Sequence, residues 1–140
     1  MTLKRISADN VINALRAEIE SLVPRSNPRE KFKHSVELTL EGDLAIHRNR
    51  LFFLEVLSRD VSGVCWGARR LNISIYVAYQ NEIIDGDIDQ IRYSLLTGAH
   101  ADGIISMDIN STVEENFGLG YTNKIVTLEA VVDYMPPDMG

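Results

Sequence analysis

Arg69-Arg70-Leu71-Asn72-Ile73-Ser74-Ile75-Tyr76-Val77-Ala78-Tyr79-Gln80 is the stretch that decides the fold. Leu71, Ile73, Ile75, Val77 and Tyr79 fall on one side of a two-residue repeat, and Asn72, Ser74, Tyr76 and Ala78 on the other. Strict alternation in a β-branched and aromatic run predicts a half-buried strand. Strand-like runs precede and follow it, so it is expected inside a sheet and not at its edge.

Toward the N-terminus, Arg50–Leu57 is apolar on both sides except at Arg50 and Glu55. That pattern predicts a strand covered on both faces, by a helix and by a partner. Ser58–Ala68, with Gly63 and Gly67 flanking Cys65-Trp66, reads as the loop between these two strands. Lys31–Leu40 alternates, with Phe32, His34, Val36, Leu38 and Leu40 on one face, and Glu41-Gly42-Asp43 ends it as a turn. Earlier still, Val11, Ile12, Leu15, Ile19 and Leu22 have helical spacing behind Ser7 or Asp9 as cap, and Pro24 and Asn27-Pro28 close that helix.

Toward the C-terminus, Asn81–Gly86 is a loop in which Asp85 or Asp87 caps a second helix. Its inner face is Ile84, Ile88, Ile91 and Leu95, and Gly98 stops it. Ile104–Val113 alternates through Ile105, Met107 and Ile109, Glu114–Asn123 is a long hairpin loop, and Lys124–Tyr134 is the last strand before Pro136-Pro137. The predicted order is helix, three strands, helix, two strands. It implies one α+β domain over residues 1–140, a mainly antiparallel β-sheet with two helices packed on one face.

The 140 residues are 45% apolar and 24% charged, ordinary for a globular domain, and no run approaches a membrane span. The basic N-terminus leads into an amphipathic pattern and not into an apolar signal core, so Asn72-Ile-Ser and Asn110-Ser-Thr are read as chance glycosylation patterns. Cys65 is the single cysteine, which excludes an internal disulfide and points to a reducing compartment. The net charge of −6 is unevenly distributed along the chain. Residues 1–70 hold 12 Lys/Arg against 9 Asp/Glu, whereas residues 71–140 hold 2 against 11. An acidic chain is a poor wrapper of nucleic acid, but opposite-signed halves permit self-complementary contacts.

Signals for chemistry are sparse. Asp85-Gly86-Asp87-Ile88-Asp89 begins like a calcium loop but has Gln90 and Leu96 where that loop requires Gly and Glu, so these carboxylates read as helix-capping groups. His34, His47 and His100 are scattered, and His100-Ala101-Asp102 falls short of a zinc set. Gly118-Leu119-Gly120 lacks a phosphate loop's spacing, and no serine lies in a nucleophile elbow. Neither catalysis, a metal nor a cofactor is expected. Arg48, Arg50, Arg59, Arg69 and Arg70 flank the second and third strands as a basic rim for an acidic partner, with Asp85, Asp87, Asp89, Glu114 and Glu115 as counterparts. Trp66, Phe117 and Tyr121 are loop aromatics suited to protein contacts.

The whole-chain layout has a short amphipathic helix, a strand pair and the central Arg-Arg-Leu-Asn-Ile-Ser-Ile-Tyr-Val-Ala-Tyr strand. An acidic-capped helix and a terminal hairpin ending Ile-Val-Thr-Leu-Glu-Ala-Val-Val-Asp-Tyr complete it. Over residues 8–134 it resembles the tail terminator, or tail-completion, proteins of long-tailed bacteriophages, a resemblance of layout and strand texture. The resemblance implies a virion protein, assembled in the host cytoplasm as a homo-hexameric ring at the head-proximal end of the tail tube. Its implied partners are further copies of itself, the tail tube protein and the head–tail connector, with DNA only as passing cargo and no membrane. The alternatives are a head-closure connector of the same neck region, and a small enzyme or ligand-binding domain using Cys65 or His100–Asp102.

Overall fold

Seven elements carry the chain in a computed structural model that describes residues 5–25, 29–34, 49–61, 67–79, 85–98, 103–116 and 124–137. Residues 49, 60, 61, 85 and 111–116 are described by their backbone alone. The elements are α1 (Ala8–Ser21), β1 (Lys33–His34), β2 (Asn49–Val61), β3 (Arg69–Tyr79), α2 (Asp85–Gly98), β4 (Ile104–Asn116) and β5 (Lys124–Tyr134). The strands form one sheet in the order β1-β2-β3-β5-β4, so the alternating stretch is its central strand. Every pairing is antiparallel except the short parallel contact of β1 with β2.

Ser7 starts α1: its side-chain oxygen accepts a hydrogen bond from the Asn10 backbone N–H at 3.2 Å, satisfying one donor that the first turn leaves open. Val11, Leu15 and Ile19 then recur on one face and are fully buried. In α2 the buried apolar residues are Ile88, Ile91 and Leu95, the same one-sided spacing. Both stripes join Leu71, Ile73, Ile75, Val77 and Tyr79 of β3 and Val126, Leu128, Ala130, Val132 and Tyr134 of β5 in one core. The two helices therefore cover the same side of the sheet, and Ser94 of α2 donates to Glu18 of α1 at 2.5 Å where they meet.

The other sheet face changes character along the strands. At one end Leu51, Ala78 and Ile125 form a small buried cluster with Tyr76 against it. At the opposite end the neighbours are polar: Asn72 donates to Ser58 at 2.7 Å, and Arg70 and Ser106 converge on Asp133.

The strands differ from the sequence expectation in four places. β2 runs on through Ser58–Val61 and β4 through Glu114–Asn116, both expected as loop. Each extension is held by a ladder, Ser58–Val61 on β3 and Glu114–Asn116 on β5. Ile105 was expected inward with Met107, yet it is 41% exposed. A register shift between Ile104 and Ser106 inserts it as an extra residue, so the alternation slips there and Ile104 packs on the core instead. Of the expected strand Lys31–Leu40, only Lys33–His34 is seen as strand, and residues 35–40 lie outside the described residues.

Candidate protein interface

Arg50 is the extra residue of a register shift between Asn49 and Leu51 of β2 and has φ +63°, a left-handed conformation that a side chain with a Cβ disfavours. Its side chain is 1% exposed. The guanidinium grips Asp87 of α2 through Nε–Oδ2 at 2.7 Å and Nη2–Oδ1 at 3.4 Å. Nη1 donates to Glu30 at 2.5 Å, and the Tyr79 hydroxyl donates to the same Asp87 oxygen at 3.0 Å. Burying these charges is costly, and the cost is offset only because each side has several partners. Arg50 and Asp87, expected as opposite halves of an intermolecular contact, thus pair inside one subunit. The cluster fastens the start of β2, the end of β3 and the start of α2 together.

Arg70 is engaged internally as well, through Nε and Nη2 on the two Asp133 oxygens at 2.8 and 3.2 Å. Arg59 and Arg69 remain exposed. Because Arg59 pairs with Leu71 and Arg69 with Val61 in the ladder, they are diagonal neighbours on the helix-bearing side. They stand at the end of the sheet where β2 finishes and β3 begins.

The acidic candidates gather at the opposite end. Glu114 and Glu115 pair with Val126 and Ile125, level with Val77 and Ala78 near the end of β3, where the Tyr79 hydroxyl reaches Asp87. Asp85 opens α2, and Asp87 and exposed Asp89 follow two and four residues on. Eleven residues of β3 separate the two ends, about 35 Å at the usual strand rise. The candidates are thus separated along the strands, exposed Arg59 and Arg69 at the end that also holds Asp133, and the acidic candidates at the end that also holds Arg50 and Lys124.

Beside the acidic end opens a cleft of about 730 Å³, with Arg25, Gly86, Asp87, Asp89, Gln90 and Tyr93 among its lining. Gln90 shapes it: its Nε2 donates to the Val23 carbonyl at 2.7 Å and its Oε1 accepts from the Arg25 N–H at 3.3 Å, tying the chain after α1 to α2. Tyr93 is 68% exposed, the largest exposure among the large apolar and aromatic side chains described.

His34 lies edge-on to Phe52, with ring centroids 5.3 Å apart. Burial, with Arg16 adding to it, holds its imidazole below the usual value, and Glu20 opposes the shift.

Arg48, Trp66, Phe117 and Tyr121, with Cys65, His47, His100 and Asp102, lie outside the described residues. Four participants escaped sequence reasoning: Glu30, Tyr79, Asp133 and Tyr93. Tyr79 and Asp133 sit on strands whose alternation gave only a face, and Glu30 sits on a connection. Tyr93 carried a signal, since it falls two residues from Ile91 and off the apolar stripe of α2. Compared with protein-family models and with curated proteins, the chain matches none.

Proposed function

We propose that this chain is a structural assembly protein that forms a closed ring, a tail terminator that ends tail-tube growth and joins the tail to the head connector. The reading makes it a non-enzymatic virion component with itself, the tube protein and the connector as partners. The observation that carries it is the polarity of the sheet, with exposed Arg59 and Arg69 at one end and Asp85, Asp89, Glu114 and Glu115 at the other. A molecule whose opposite ends are complementary makes head-to-tail contacts, and such contacts close into rings when the rotation permits. Each exposed ion pair contributes only about 0–1 kcal/mol, so several act together with apolar burial.

Native mass spectrometry of the purified chain tests it. A discrete species of about six copies that loosens as salt shortens the screening length supports the reading. A monomer or dimer at all concentrations overturns it. Imaging of particles separates the runner-up, a head-closure connector, by whether the ring caps the tube or stays with the head.

A further inference from the structure

We infer that the cleft between α2 and the Val23–Arg25 segment is the socket for the Arg59–Arg69 end of a second copy of this chain. The inference rests on the ring reading and names its contact.

Three observations converge on that occupant. The first is charge. Among the described residues, the charged groups lining the cleft or paired with its lining are Arg25 and Arg50 against Glu30, Asp87 and Asp89, so one carboxylate is in excess. Arg50 and Asp87 neutralise each other, which leaves exposed Asp89 and the half-exposed Glu30 against Arg25 for an incoming group. A cationic side chain is what this balance accepts.

The second is shape and surface. Tyr93, 68% exposed, offers a ring face on which a guanidinium stacks, and Arg is the cation best suited to that contact. Leu96, one turn further along α2 and 37% exposed, extends the apolar margin. An aromatic, a carboxylate and a clamped amide together resemble the anchor sites of protein interfaces more than a surface helix facing water.

The third is position. The exposed arginines and the cleft lie at opposite ends of the same sheet, so no subunit fills its own socket. A second copy, arriving head-to-tail, brings the matching arginines.

Two variants of the full chain test this. Arg59→Glu with Arg69→Glu removes the plug and keeps the socket; Asp89→Lys with Tyr93→Ala removes the socket and keeps the plug. All four residues are exposed, so both variants should keep the parent's circular dichroism and thermal transition. Each alone should need about tenfold more protein to assemble than the parent does. Mixed, they should form a one-to-one pair by native mass and nothing larger, because only one productive plug and one productive socket remain. If both variants assemble as the parent does, or if the mixture fails to pair, this contact is wrong while the ring reading stands. If the parent itself stays monomeric, the ring reading falls and this contact falls with it.

Discussion

Among the described residues the same Arg–Asp fork occurs twice, and the two copies live in different surroundings. Arg50–Asp87 is sealed, each side chain 1% exposed, whereas Arg70–Asp133 is half open, with side-chain exposures of 37% and 4%. The sealed pair fastens α2 to the sheet and draws in Glu30 and Tyr79 to satisfy what water no longer can. The open pair bridges neighbouring strands on the face away from the helices, with Ser106 as a further donor. Equal geometry does not mean equal consequence, because the surrounding solvent decides what a lost partner costs.

The largest effect is expected from Asp87→Ala. It leaves Arg50 buried with Glu30 as its remaining carboxylate among the contacts described above, and a loss of about 3–5 kcal/mol should appear in denaturant unfolding. A loss below 1 kcal/mol would mean that water reaches the site and the two pairs are alike. Arg70→Ala comes next, about 1–3 kcal/mol, since it strands the mostly buried Asp133 carboxylate with Ser106. Asp133→Ala should cost less than Arg70→Ala, because an arginine already 37% exposed rehydrates easily. Finding the reverse order would show that packing around Asp133, and not its charge, holds that end.

The smallest effect concerns pH. His34 lies opposite Phe52, two residues from Arg50, and its folded pKa is below the usual value of about 6.5. The unfolded chain therefore binds the proton more readily. The stability contributed is complete above the unfolded pKa, falls as pH drops from there toward the folded pKa, and falls no further below it. As pH drops across that window, hydrogen-exchange protection, taken relative to the intrinsic rate at each pH, should fall around β1 and the start of β2 and not around Arg70. His34→Gln should abolish the difference.

The alternation of Leu71–Tyr79 was readable because side chains on a strand point to alternate faces, and the two helical stripes because apolar residues must meet the same core. The fate of Arg50 was not readable. An arginine beside a strand ordinarily reads as rim, and nothing local announces a partner 37 residues away on a helix turn. The exposure of Ile105 was hidden for a different reason, since one inserted residue reverses a face without changing composition. The interface suffered the same limit. Sequence gathered the arginines by proximity along the chain, while the fold spends Arg50 and Arg70 internally and leaves Arg59 and Arg69 exposed as diagonal neighbours.

Gly103 has a consequence in time. Its φ of +102° and its closeness to Ile6 Cγ2 and the Arg5 carbonyl carbon, 2.8 and 2.9 Å from where a Cβ would stand, leave no room for another residue. Around it Ile6 N–H donates to the Met135 carbonyl and Met135 N–H to the Gly103 carbonyl, each at 2.8 Å. This knot joins residues more than a hundred positions apart, so closing it early would carry a large loop-entropy cost, and it is expected to tie after the folding barrier is crossed. Interactions absent at the barrier act on the rate of coming apart. Gly103→Ala should therefore speed unfolding in a stopped-flow experiment and leave the refolding arm where it was, making this glycine a setting on the molecule's lifetime.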